Sequence, residues 1–229
     1  MKYKELLDLI KNEESKSFIK EIPHYIKDKY KIVNFNKSEV ITCTGGKIEK
    51  IYISLDGKMK VKNEFANGFV YNFAEIDSIS YIGAMEIMAE QDKYSSTLET
   101  TTECIMIEME VEDFKNWITK DHNLTLKVLK FVSKGMHTQS LKKGEGFAYP
   151  AIYSLISYLK SAYEDSRSKI LSLQESREEI GSKLGFSIRT INRNIKILKD
   201  ENLITVNRKT ISINEEQFNK LIYKLNSIK

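Results

Sequence analysis

The chain has 229 residues, 41% hydrophobic and 30% charged, with two prolines and 36 Lys+Arg against 32 Asp+Glu; this excludes collagen-like, proline-rich and long disordered architectures and supplies core material for two small domains. Lysine or glutamate breaks every apolar run well short of the roughly 20 residues of a membrane helix, and Lys2, Lys4, Glu5 and Asp8 stand where a signal peptide would carry its apolar core. The expected compartment is therefore the cytoplasm, with no membrane partner, and two widely spaced cysteines, Cys43 and Cys104, fit such a reducing setting.

A helical opening is expected over residues 2–29. Short β segments follow at 30–35, 39–44, 50–55, 58–62, 68–76 and 97–109, with Gly45-Gly46 as a turn between the second and third. Asp56-Gly57 lies between alternating apolar residues and predicts a hairpin, because both residues tolerate positive φ. Many short strands up to about residue 110 indicate a sandwich or barrel. Helix returns at 111–117 and again over 123–143. In the second of these Leu129, Val132 and Met136 are spaced by three and four, with Leu124 and Val128 on an adjoining stripe. Such a stripe packs on its own domain or pairs with its twin in a dimer, and spacing leaves both open. Gly144 and Gly146 loosen the chain before Pro150, a proline suited to the first turn of a new helix, so the domain boundary and hinge are placed there.

Ser176-Arg177-Glu178-Glu179 reads as a capping box opening a helix that turns Ile180 and Leu184 inward, with Gly185 ending it. Phe186 fills the turn, and Ser187 caps a second helix whose inner face is Ile191, Ile195 and Leu198. Its other face presents Arg189, Asn192, Arg193 and Lys196, with Ile188 at the exposed N-terminal end. Strands at 203–206 and 210–213 flank Asn207-Arg208-Lys209 as a basic tip, completing a winged helix-turn-helix. The charge agrees. Residues 151–229 hold 14 Lys+Arg against 9 Asp+Glu, including all five arginines, whereas residues 1–150 hold 22 against 23. The major groove admits one helix, so Arg189 and Arg193 are expected on guanine edges, and Ser187, Thr190, Arg208 and Lys209 on phosphates. The expected partner is double-stranded DNA.

Three stretches, GGKIEKIYISLDGKMKV (45–61), YIGAMEIMAEQDKYSST (81–97) and SREEIGSKLGFSIRTINRNIKILKDENLI (176–204), resemble the glycine hairpin, phosphate-binding cassette and helix-turn-helix of the cyclic-AMP receptor protein and fumarate-nitrate regulator (CRP/FNR) family. The resemblance implies an α+β fold in three parts. Residues 1–122 form a β-roll sensor domain of the cyclic-nucleotide-binding-like, double-stranded β-helix type, 123–149 a long central dimerisation helix using Leu129, Val132 and Met136, and 150–229 a winged DNA-binding domain. It implies a homodimer on a palindromic operator, a contact with RNA polymerase, and an effector pocket near Tyr81, Gly83, Ala84, Tyr94 and Ser95, with Ser140 from the central helix.

The family's cyclic-nucleotide binders place glutamate after the cassette glycine and arginine before the serine; here Ala84 and Tyr94 stand there. A buried phosphate without a cation is costly, so cyclic AMP is not expected to bind tightly. The effector is expected to be an unknown small apolar or anionic metabolite, oxidation of a cysteine, or none. Two cysteines cannot ligate an iron-sulfur cluster within one subunit, the isolated His24, His122 and His137 do not suggest haem, and no cofactor, metal site or catalytic residue is expected, since P-loop, GxSxG and HExxH motifs are absent. In the recognition helix Ser187, Thr190 and Arg193 keep the family pattern, while Ile188 is expected on a thymine methyl. The competing reading is a sensor or interaction module whose winged domain contacts protein.

Overall fold

The computed structural model describes residues 3–66, 68–208 and 210–228. The helical opening is two helices, α1 (Tyr3–Leu9) and α2 (Glu13–Glu21), followed by a 3-10 turn at His24–Ile26. Asn12 makes the break: its side chain accepts the backbone N–H groups of Glu14 and Ser15 and caps α2. The strands are β1 (Tyr30–Phe35), β2 (Val40–Thr42), β3 (Lys50–Asp56), β4 (Met59–Glu64), β5 (Val70–Ile76), β6 (Ser80–Ile82), β7 (Thr97–Thr100) and β8 (Cys104–Glu110), with the short α3 (Ala84–Met88) after β6. They form two four-stranded sheets, β1-β8-β3-β6 and β2-β7-β4-β5. Met59 and Leu98 from one sheet and Ile82, Cys104 and Met106 from the other fill the space between them. The outer face of the first sheet carries Ile51, Ile53, Leu55, Ile107 and Met109, which pack with α1, α2 and the helices that follow β8.

Asp56-Gly57 is not the expected hairpin. β3 pairs with β8 and β4 with β7, so the strands on either side of the turn lie in different sheets. The expected strand 97–109 is likewise divided at 101–103 into β7 and β8. Both facts have one cause: β3–β8 and β4–β7 are two halves of a ribbon that changes sheet where the two corners cross. There Thr101 N–H donates to the Lys58 carbonyl at 2.8 Å and Lys58 N–H to Thr102 Oγ1 at 2.8 Å. Gly57 has φ 99°, and a Cβ on it would lie 2.3 Å from the Glu103 carbonyl oxygen. The dipeptide therefore makes a sheet-to-sheet corner, which short-range rules do not distinguish from a hairpin.

α4 (Val111–Lys120) and α5 (His122–Ala148) follow. Asp121 joins them, accepting Trp117 Nε1–H at 2.9 Å on one oxygen and the Asn123 and Leu124 N–H groups on the other. α5 continues through Gly144 and Gly146, where a hinge was expected, and Tyr149 N–H still donates to the Glu145 carbonyl at 3.0 Å. Two glycines cost a helix about 2 kcal/mol relative to alanine but do not stop it; Pro150 does, by forbidding helical geometry at the residue before it.

Pro150 is the N-cap of α6 (Ala151–Ser166). Then come β9 (Ile170–Leu173), α7 (Arg177–Leu184), α8 (Ile188–Asp200), β10 (Thr205–Asn207), β11 (Thr210–Asn214) and α9 (Glu215–Ile228). The sheet order is β10-β11-β9, with Val206 opposite Ile211 and Ile211 opposite Leu173. Its core is Leu155, Ile156, Leu159, Ile180, Ile191, Leu198, Ile211, Ile213 and Leu221, all fully buried, at roughly 1.5 to 3 kcal/mol per side chain. The chain divides into two compact units, 1–65 with 72–137, and 66–71 with 138–229, so α5 belongs to both. Among the described residues no helix is long and apolar enough to cross a membrane.

Candidate nucleic-acid interface and sensor cassette

The interface is built by two caps and a turn. Ser176 Oγ accepts the Glu179 N–H at 3.1 Å and Glu179 Oε2 accepts the Ser176 N–H at 2.7 Å, the expected capping box. Gly185 ends α7 with φ 76°, and Phe186 N–H donates back to the Gly181 carbonyl at 2.9 Å. Ser187 then caps α8: its Oγ accepts the Thr190 N–H at 3.2 Å and lies 3.0 Å from Thr190 Oγ1. Ile191, Ile195 and Leu198 are buried as expected, together with Asn194, which the sequence reading did not single out. Ser187, Ile188, Arg189, Asn192, Arg193 and Lys196 are exposed, and Thr190 is half-buried. Among the described residues no carboxylate pairs with Arg189, Arg193, Lys196 or Arg208. In the β sandwich, by contrast, Lys31 pairs with Glu108, and Lys60 and Lys62 with Glu99. Arg208 is exposed at the wing tip with φ 53°; Lys209 lies outside the described residues.

Two charged groups behind this face passed unremarked in the sequence. Arg177 opens α7 half-buried, with one guanidinium nitrogen unpartnered and its pKa lowered by burial. Glu175 accepts the Tyr158 hydroxyl at 2.8 Å and the Lys183 ammonium at 2.9 Å, tying α6 to α7. Burial, then Glu175, pushes the Tyr158 phenol up, so it stays a neutral donor. These contacts bridge 17 and 8 residues, beyond the reach of helix-spacing rules.

The cassette runs from β6 through α3 to β7. Gly83 has φ 87°, and a Cβ there would lie 2.9 Å from Ile51 Cδ1, 3.3 Å from Tyr94 Cε1 and 3.6 Å from Ile48 Cγ2. The space beside the glycine is thus filled by the protein's own side chains. Tyr94 is buried and donates its hydroxyl to the Lys50 carbonyl at 2.7 Å; burial, then Tyr52 and Glu86, raises its pKa and keeps it neutral. Its backbone bonds to the Gly45-Gly46 turn at 2.8 and 2.9 Å. Tyr81 is buried against Phe18 of α2 and Phe131 of α5, ring centroids 6.2 and 5.7 Å away, and Ala84 is fully buried. Ser95 is exposed, yet its N–H and hydroxyl both donate to Glu86 Oε1, at 3.1 and 2.6 Å. Glu86 was not foreseen, because nine residues separate it from its partner. Ser140 is exposed on the part of α5 that belongs to the other unit.

On α5 the two apolar stripes part company. Leu124 and Val128 join the core, whereas Leu129 is 58% and Met136 67% exposed, with Val132 half-buried between them. Leu126 and Phe147, not foreseen, are exposed on the same helix.

A β sandwich bearing a glycine-led cassette, a 27-residue helix and a winged helix-turn-helix with an unpaired basic face define the class of sensor-regulators that couple a cyclic-nucleotide-binding-like domain to DNA. Known proteins agree. A cyclic nucleotide-binding domain model matches residues 32–121 and a Crp-like helix-turn-helix domain model residues 152–218. The cAMP-activated global transcriptional regulator CRP of Salmonella typhimurium is 22% identical over 174 residues, 74% of this chain and 82% of the relative. In fold, the chain is similar to the c-di-GMP responsive global regulator CLP of Xanthomonas campestris, with TM-score 0.71 at 17% identity, covering 82% of this chain and 95% of that one. A CRP/FNR family regulator from Thermus thermophilus gives TM-score 0.65 at 15% identity over 87% and 100%.

The chain belongs to the CRP/FNR family of transcriptional regulators and carries that family's DNA-binding helix-turn-helix. Members of the family are regulators rather than enzymes, and they bind DNA as dimers.

Proposed function

We propose that this regulator binds a palindromic operator as a homodimer, with residues 1–122 as sensor, 123–149 as dimerisation helix and 150–229 as DNA-binding domain. Arg189 and Arg193 read base edges, with Asn192 and Lys196 beside them and Ile188 against a thymine methyl. Ser187, Thr190, Arg208 and Lys209 hold phosphates. The observation that carries the reading is α8 itself: one face is buried, and the other presents Arg189, Arg193 and Lys196 unpaired to solvent. An unpaired cation gives up no intramolecular partner on meeting a phosphate, which favours this face over the neutralised lysines of the β sandwich. Leu129, Val132 and Met136 form the subunit seam, continued by Leu126 and Phe147, and the operator's half-site centres lie about 34 to 36 Å apart, the one-turn spacing usual for such dimers. A protein whose partner is chromosomal DNA works in the cytoplasm, and RNA polymerase is the partner through which it acts.

The pocket is degenerate. Tyr94 and Ala84 offer no cation for a phosphate and no carboxylate for a ribose, and the ring of Tyr94 lies beside Gly83. Unlike its cAMP-activated relatives, the chain is expected to show no micromolar affinity for cyclic AMP in calorimetry.

A labelled duplex from the protein's own upstream region tests the DNA reading. Binding should fall steeply with salt, and Arg193→Ala should weaken it by about 10- to 100-fold with little change in melting temperature. Weak retention indifferent to sequence and to Arg193→Ala would instead favour a module whose winged domain contacts protein.

A further inference from the structure

We propose that Glu86 is an internal anion, occupying the anion-binding donors of the cassette so that the loop stays closed without a ligand and small external anions are shut out. This rests on reading residues 83–95 as a degenerate cassette. Glu86 is only 8% exposed, and a carboxylate removed from water normally demands a cation. Among the described residues it has no ion-pair partner; its compensation is Ser95, whose amide and hydroxyl converge on the single oxygen Oε1 at 3.1 and 2.6 Å. A backbone N–H and a neighbouring hydroxyl aimed at one point are how a chain holds an oxyanion. Here the oxyanion is supplied from three residues beyond Gly83.

The surroundings reinforce exclusion. The neighbouring Tyr94 is already turned to the Lys50 carbonyl, and Glu86, Glu108 and Glu49 are its negative neighbours. Lys93, the one cation next to it in sequence, is exposed. An incoming phosphate must therefore expel Glu86 and settle among like charges. The backbone of Glu86 also closes the loop, its carbonyl accepting the Gln91 N–H at 2.9 Å, so the same residue holds both ends of the segment.

The probe is inorganic phosphate, titrated by calorimetry into the full-length protein. Wild type should show no saturable binding at millimolar phosphate, and Glu86→Ala should bind at least about tenfold tighter, the effect of one charge-assisted hydrogen bond. Adding Ser95→Ala, which removes the hydroxyl and leaves the backbone amide, should cut most of the gain. Should Glu86→Ala fail to fold, Glu86→Gln keeps the shape and drops the charge; hydrogen exchange at the Ser95 amide should then quicken by about tenfold, with phosphate affinity still above wild type. Folded Glu86 variants no better than wild type, or a gain undiminished by Ser95→Ala, would overturn the proposal. Micromolar binding of cyclic AMP by wild type would defeat the degenerate-pocket reading beneath it; absent cyclic AMP binding with no gain in the variants defeats the internal anion alone.

Discussion

Gly57 shows how much one missing side chain decides. A Cβ at this position would press on the Glu103 carbonyl at 2.3 Å and on Cys104 Sγ at 2.5 Å, and its φ of 99° is strained for any other residue. Gly57→Ala should therefore destabilise the β sandwich by about 1 to 3 kcal/mol, read as a lower urea midpoint, while the winged domain, assayed by its own melting transition, is unaffected. Steric need at Gly57 could be foreseen from sequence, but its partner could not: residues 103 and 104 are far away along the chain. Glu86 and Ser95 repeat the lesson on a shorter scale. Ser187 is the opposite case, since an N-cap and the amide it binds lie within one turn, and the expected bond to Thr190 is present.

At the scale of elements, Glu99 on β7 pins β4. Burial alone would raise its carboxyl, but hydrogen bonds from Lys60 and Lys62, at 2.6 and 3.0 Å, outweigh that and hold it below the ordinary value of 4.5. The folded state then binds the proton less readily than the unfolded chain. The resulting stability is complete above the ordinary carboxylate range and is lost as pH falls through the folded value. Denaturation of the β sandwich should accordingly become easier below about pH 4.5, and Glu99→Gln should flatten part of that dependence. A variant as acid-sensitive as wild type would mean the lysines do not stabilise the ionised form. Element type was readable where periodicity was strong, in α8. It was misjudged where a turn changed sheet at Asp56-Gly57, because hairpin and corner share the same dipeptide, and where α5 ran on through Gly144 and Gly146.

For the whole molecule, the exposed stripe of α5 is the feature that bears on assembly. Leu129 and Met136 are over half exposed, so Leu129→Glu with Met136→Glu should leave the fold intact yet shift sedimentation toward monomer. Operator affinity should fall by more than about tenfold, since each half-site is then bound alone. Retained dimers would place the subunit interface elsewhere.

Residue types and local spacing alone determined the capped helix pair and the basic face of α8, because each rests on interactions within a turn or two of chain. Tertiary packing decided which sheet each strand joins, which stripe of α5 is buried in the core, and that Glu86 takes the donors of Ser95. Those outcomes depend on which distant groups compete for the same space and the same hydrogen bonds, and that competition is settled only once the chain has folded.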